Sequence, residues 1–247
     1  MDIKIDTHSH TLASGHAYST IREMAESAKA KNLEVLSITE HAPTMPGSCH
    51  EFYFYNLKAI PRDYYGIPLL LGVELNILDP LGNVDMRASL LGQMDIAIAS
   101  IHGPCFGEGF DFETFVNHQY TSLDYTNAYV NAMKNPLIHV IGHPDDSRYQ
   151  PDYEKLVRAA KETGTLLEVN NSSLSPTSFR EGTWDNVLTM LDLCKEHEVM
   201  VTTGSDAHIE SDVGNFHHIK KVFKHCNFPE ELVATTNINK LNKYLEK

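Results

Sequence analysis

Seven times along the chain a short apolar run, rich in Val, Ile and Leu, gives way to a stretch with helical signals. The runs are Ile3–Asp6, Val35–Thr39, Leu69–Val73, Ile96–Ser100, Ile138–Gly142, Leu166–Val169 and Met200–Thr203. Strands alternating with helices pair in parallel, and nearly unbroken apolar strands belong to a sheet covered on both faces. Between them, Thr20-Ile-Arg-Glu23 reads as a capping box, with Ile21, Met24, Ala25 and Ala28 on one helical face. Asp152 caps a helix carrying Leu156, Val157 and Ala160, which Gly164 ends. Thr183 opens another, with Val187, Leu188, Leu191 and Leu193 as its apolar side. No repeat, low-complexity stretch or Pro/Gly/Ser linker divides the 247 residues, so residues 1–247 are expected to form a single domain.

Seven such units fit an open doubly wound sheet or a barrel. The open sheet usually carries a Gly-rich phosphate loop after its first strand; here that strand runs into Asp6-Thr-His-Ser-His10. A parallel α/β barrel is therefore expected, with its site at the carboxyl ends of the strands.

Composition narrows what such a barrel can do. Twenty basic against 33 acidic residues give a net charge of −13, which disfavours a surface for long nucleic acid. No apolar run approaches the length of a membrane helix, and the Met-Asp-Ile-Lys-Ile-Asp start lacks the plan of a signal peptide, so no membrane association and a cytoplasmic location are expected. The four cysteines form no C-x-x-C pair and read as reduced and structural. Histidine is the outlier, at 14 residues.

Most of these histidines fall where a barrel builds its site. His8 and His10 follow the first strand, with His16 in the loop beyond; His41 follows the second; Glu74 ends the third; His102 follows the fourth; His143 the fifth; Asp206 and His208 the seventh. In extended backbone His8 and His10 point to one side, and Asp206-x-His208 repeats that spacing. Seven imidazoles and two carboxylates exceed the three or four protein ligands of one catalytic ion, so two or three ions are expected, with a carboxylate such as Glu74 bridging a pair. Imidazole-rich ligation favours Zn, Mn or Fe over Mg or Ca. His118, His197, His217, His218 and His225 sit in helical patterns and His139 lies inside the fifth strand, all away from the expected site, while His50 can be assigned to neither group.

The set Asp6-Thr-His-Ser-His10, Thr39-Glu-His41, Gly72-Val-Glu74, His102, Gly142-His143-Pro and Gly204-Ser-Asp-Ala-His208 resembles the PHP (polymerase and histidinol phosphatase) superfamily. His16-Ala-Tyr-Ser-Thr20, His41-Ala-Pro-Thr-Met-Pro46 and Glu168-Val-Asn-Asn-Ser-Ser173 look like its YcdX-like phosphatase branch. The resemblance implies a distorted seven-stranded (β/α)7 TIM-like barrel with three divalent ions, most often zinc or manganese. It implies that His8, His10, Glu74 and Asp206 hold the first ion, Glu74 with His102 and His143 the second, and His16, His41 and His208 the third. Glu40 stands where the family often has Asp, and Asp145-Asp146 adds unusual negative charge near the cleft.

The expected activity is hydrolysis of a small phosphomonoester, with Glu74, Asp206 and His102 in the catalytic centre. Bound ions make the pocket locally positive within an acidic chain and acidify the attacking water. Arg180 is the candidate fork for the phosphate, and Asn170 and Ser172 are candidates either to contact substrate or to order the turn. Asp6 is a candidate to orient a ligand histidine, and the aromatic run Phe52-Tyr-Phe-Tyr55 reads as core or as a pocket wall. The alternatives are a phosphodiesterase or nuclease acting on nucleotides or short oligonucleotides, an amidohydrolase, and a non-enzymatic metal-binding module. Neither the third nor the fourth strand ends in the bridging Lys that amidohydrolase sites generally use, and no ligand position is missing, as a non-enzyme would allow.

Overall fold

A computed structural model describes residues 1–111, 113, 116–117 and 119–246, so the reading of His118 lies outside the described residues. Seven parallel strands run in chain order: β1 (Ile5–Asp6), β2 (Val35–His41), β3 (Ile67–Asn76), β4 (Ala97–Ser100), β5 (Val140–Ile141), β6 (Leu166–Asn170) and β7 (Val201–Gly204). Every expected run is a strand, and each pairs with the next. The seam between β7 and β1 closes just past their ends. Asp206 N–H donates to the His8 carbonyl at 2.9 Å, His10 N–H to the Ala207 carbonyl at 2.8 Å, and Ser9 bridges Ala207 in parallel. The two segments richest in candidate ligands are thus held against each other by their own backbones, and the sheet is the expected (β/α)7 barrel.

The helices follow their start signals. Both halves of the Thr20–Glu23 capping box form at α1 (Ile21–Ala30). Asp152 accepts from Lys155 N–H at the head of α5 (Tyr153–Thr163), and Gly164 ends it at φ +63°. The remaining helices are α2 (Glu51–Asn56), α3 (Ala88–Leu91), α4 (Ser122–Ala132), α6 (Thr183–His197), α7 (His217–His225) and α8 (Ile238–Leu245). On α6, Met190 and Cys194 join Val187 and Leu191 in full burial, while Leu188 and Leu193 are only partly covered. All four cysteines are free thiols, and burial pushes that of Cys194 up to about 12.

Strand alternation sorts side chains into two cores and a polar mouth. Leu36, Ile38, Leu69, Leu71 and Val73 face outward into the large core beneath the helices. Ile5, Val35, Ile96, Ile98, Val140 and Leu166 form a separate inner core with Ala234 and Leu241, so α8 packs against the barrel interior at the amino ends of the strands. Two residues farther along the inward row come Ser37, Gly72, Ser100, Gly142 and Glu168, and beyond them the site.

Candidate metal centre

Strand register brings the candidate ligands together from distant parts of the chain. Glu74 on β3 pairs directly with His41 on β2, and both are buried. All nine positions singled out from the sequence, His8, His10, His16, His41, Glu74, His102, His143, Asp206 and His208, lie in one continuous cluster.

Hydrogen bonds at the back of four rings decide what their front nitrogens can do. His8 Nδ1–H donates to Glu168 Oε1 at 2.8 Å. Ser14 Oγ commits its proton to Glu40 at 2.6 Å and so accepts from His10 Nδ1–H at 3.0 Å. The Asn76 amide donates to Asp85 and Ala42, leaving its oxygen to accept from His102 Nδ1–H at 2.7 Å. His208 Nδ1–H donates to the Asp206 carbonyl at 3.0 Å. In each ring Nε2 is left as a bare lone pair.

Those lone pairs face one another and face carboxylates. His8 Nε2 and His10 Nε2 are 3.0 Å apart. Both lie 3.4–3.7 Å from Glu74 Oε2 and Asp206 Oδ1. A tetrahedral ion with bonds of about 2.1 Å separates its ligands by about 3.4 Å, close to the spacing seen. The other oxygen of Glu74 lies 3.2 Å from His102 Nε2 and 2.9 Å from His143 Nε2, so this one carboxylate faces two sets of imidazoles. His16 and His41 meet through their Nε2 atoms at 3.2 Å, with the His208 ring centroid 4.9 Å from that of His16. Among the described residues, Glu74 Oε2, His41 Nδ1 and His102 Nε2 are buried without any hydrogen-bond partner, and His41 Nδ1 lies 2.7 Å from Glu74 Oε2. Acceptors crowded onto acceptors are repulsive without a cation, so this donor set fits divalent metal.

Neighbouring charges act on these groups in opposite directions, and at His8 a proton competes with a metal ion for Nε2. Burial disfavours charge on the His8 imidazole, but Glu168, Glu74 and Asp206 outweigh it and hold its pKa well above the usual value. Burial, then His41 and His208, lowers His16 to about 4 and His10 well below its ordinary range. Burial alone would raise Glu74; His102, His8 and His41 hold it well below the usual carboxylate range. His143 and Asp206 also sit at φ +28° and +55°, a left-handed backbone that costs non-glycine residues about 1–3 kcal/mol each.

Of the residues that orient this cluster, Asp6 and Glu40 were singled out from the sequence, whereas Glu168, Ser14 and Asn76 were given no orienting role there. Glu168 holds His8 through one oxygen and the backbone N–H of His143 through the other. Asp6 binds backbone, not a ligand ring: it accepts from Ser205 N–H at 2.9 Å and Gly214 N–H at 2.8 Å, fixing the loop that carries Asp206 and His208. Glu40 acts on His10, through Ser14, and takes the Tyr53 hydroxyl at 3.2 Å. A charged residue inside a buried apolar strand, as in Leu166-Leu-Glu-Val-Asn170, was the signal that would have found Glu168.

Above the cluster opens a cavity of about 750 Å³, lined on its floor by His41, His102, His143, Asp206 and His208. Ser172 lines it, and so does Arg180, whose guanidinium bonds Ser173 at 2.9 Å and Asp206 at 3.2 and 3.3 Å. Asn170 is fully buried and lines no part of it: its amide bonds Glu168 and Asp206, and its oxygen takes Ser173 N–H. The aromatic run divides, with Phe54 in the core, Tyr53 on Glu40 and Phe52 exposed, and none of it walls the cavity. His50 caps α2, His139 accepts from Ala97 N–H, and His197 pairs with Glu154.

A parallel barrel with buried imidazoles and carboxylates gathered at the carboxyl ends of its strands is the architecture of a metal-dependent barrel hydrolase. The chain belongs to the PHP domain family, which matches residues 6–174. It is 42% identical over 247 residues to a probable phosphatase of Thermoanaerobacter sp. (strain X514), covering 100% of this chain and 96% of that one. It is 43% identical over 243 residues to a probable phosphatase of Caldanaerobacter subterraneus, covering 98% and 91%. Among solved structures, the histidinol phosphate phosphatase of Lactococcus lactis, complexed with zinc, L-histidinol and phosphate, superposes with a TM-score of 0.62 at 20% identity over 92% of this chain and 94% of that one. A chain of an archaeal ribonuclease P bound to mature tRNA gives 0.57 at 14% identity over 98% and 90%, so the fold by itself does not carry the activity.

Proposed function

We propose that the protein is a phosphatase that hydrolyses a small phosphomonoester at a centre of three divalent ions, zinc foremost, with manganese or iron as alternatives. The observation that carries this reading is the set of Nε2 lone pairs, fixed from behind, that confront the two oxygens of Glu74 beneath an arginine-lined cavity. His8, His10, Glu74 and Asp206 would hold one ion, Glu74, His102 and His143 a second, and His16, His41 and His208 a third. Bound there, the ions would supply an acidified water and neutralise the phosphoryl oxygens. The phosphatase names of the full-length relatives support the same reading.

The chain's own groups then do the positioning. Among the described residues Arg180 makes three hydrogen bonds, which leaves two of its five N–H donors for a phosphate oxygen. Asp206 holds that guanidinium while its other oxygen faces His8 and His10, tying the phosphate fork to the centre. Packing of α8 into the barrel floor supports reading residues 1–247 as one domain.

The test is phosphate and nucleotide release from phosphomonoesters, dinucleotides and short oligonucleotides by metal-reconstituted protein, with His8→Ala alongside. Phosphate from monoesters, lost in the variant, is the expected result. Cleavage of diesters alone would replace this reading with a phosphodiesterase.

A further inference from the structure

His16 differs from the other candidate ligands in how it is held. The other eight lie in a barrel strand or within four residues of its end, whereas His16 lies ten residues past β1. It is also the only one of the nine that is exposed, and its Nδ1 has no hydrogen-bond partner among the described residues. With no group behind the ring, its place depends on the loop that carries it.

That loop is fastened on both sides of His16. Gly15, at φ +79°, packs so closely on the loop after β2 that an added Cβ would lie 2.0 Å from the Gly47 carbonyl oxygen. On the other side, Tyr18 N–H donates to the His208 carbonyl at 2.7 Å. The buried Ser19 hydroxyl donates to Glu210 Oε2 and accepts from Glu210 N–H at 3.0 Å. The Glu210 carbonyl accepts from Ser27 Oγ on α1 at 2.6 Å, which ties the pair to the outer helix layer. Leu12 N–H donates to the Ser19 carbonyl at 2.9 Å and closes the His16 loop on itself. The loops of His16 and His208 are therefore joined to each other directly, through residues that do not line the cavity.

We infer that Ser19 and Glu210 form a latch that positions His16 against His208, so that the third ion is held separately and leaves without the other two. The inference rests on the three-ion reading and not on which ester is cleaved. The start of the same loop is anchored elsewhere: buried Glu40 accepts from Thr11 N–H at 3.0 Å and from Ser14 Oγ at 2.6 Å. Opening the latch therefore releases His16 and leaves Ser14, and with it His10, in place. Glu74, His102 and His143 are carried by β3, β4 and β5, which pair with one another and make no hydrogen bond to either latch residue among the described residues.

The probe is zinc: chelator-stripped protein is titrated by calorimetry, and zinc per chain is counted after dialysis. The wild type should keep three ions. Ser19→Ala and Glu210→Ala should each keep two, with one affinity weakened about 10–100-fold, the usual cost of losing a group that orients a metal ligand. Glu210→Gln retains an acceptor for the Ser19 hydroxyl and should keep all three, a rescue that damage to the fold would not give. The double variant Ser19→Ala/Glu210→Ala should fall no further than either single one, because both changes break the same contact. Far-ultraviolet circular dichroism of the stripped variants should match that of the stripped wild type. Three ions at wild-type affinity in both Ala variants, or joint loss of all three, overturns the latch. A wild type that takes up only two ions sinks the three-ion reading and the latch with it. Zinc counts do not depend on turnover, so a failed phosphatase assay bears on the ester reading alone.

Discussion

At the scale of single residues, the tightest constraint on the centre is a hydrogen atom. Gly204 ends β7, and a Cβ there would lie 2.3 Å from Glu168 Oε1 and 2.5 Å from the His8 Cβ, the two groups whose hydrogen bond presents the His8 lone pair. Gly204→Ala must therefore push them apart. Disturbing a group behind a metal ligand typically costs about 10–100-fold in affinity or activity, and Glu168→Gln should fall in the same range. Both variants should fold, as judged by far-ultraviolet circular dichroism, and lose metal on dialysis; full metal content in Gly204→Ala would refute the role given to this contact. The ligands themselves were legible because each follows an apolar strand, a pattern visible in one dimension. Glu168, Ser14, Asn76 and Asp85 were not, because their roles depend on which strands become neighbours. Asn170 shows the converse: the sequence left it between substrate contact and ordering of the turn, and its side chain turns down between two carboxylates and takes Ser173 N–H.

Among secondary-structure elements, α8 does the least expected work. The strand-and-helix rhythm announced all seven strands, since apolar runs of that length need cover on both faces. Nothing in the rhythm said that the last helix would close the barrel, because its apolar stripe looks like that of any outer helix. Leu241 is fully buried there with Ile5, Val35, Ile96 and Leu166. Leu241→Ala should cost about 2–5 kcal/mol, the range for emptying a well-packed leucine site. The change lies at the end of the barrel opposite the ligands, so metal stoichiometry should hold while the urea midpoint falls. A midpoint unchanged within error would mean that α8 does not seal the barrel. The strand ends were less legible than the strands: β3 runs to Asn76, past the expected Val73, because its extra residues are the ones that pair with β4 and support His102.

For the molecule as a whole, the centre concentrates charge that the fold alone cannot balance. Asp6, Glu40, Glu74, Asp145 and Glu168 are completely buried and Asp206 nearly so, in a chain already at −13; burial pushes Asp145 up to about 7 and raises Asp6, so Glu74, Glu168 and Asp206 carry the charge at the ligands. Arg180 meets only one of them at hydrogen-bond distance, and neither oxygen of Asp145 has a hydrogen-bond partner among the described residues. Divalent ions bound by the native state and not by the unfolded chain would supply the missing positive charge and add stability by mass action. At a free ion concentration 100-fold above the dissociation constant the gain is about 2.7 kcal/mol per site. For a chain of this size about 1 kcal/mol moves the Tm by roughly 2–4 °C, so chelation should lower it by roughly 5–10 °C for each site emptied. The sign with pH follows from the ligands: imidazoles bind metal only when neutral, so protons compete with ions first at His8, held well above its ordinary value, and only in acid at His16, lowered to about 4, and at His10. The gap in Tm between zinc-loaded and chelator-treated protein should therefore be widest above neutral pH and narrow steadily toward pH 4. Thermal scans at a series of pH values, with His8→Ala showing a reduced gap throughout, would establish that the imidazoles hold the ions. A gap that persisted unchanged at pH 4 would mean that carboxylates alone hold them, and the ligand assignment proposed for all three ions would fall together.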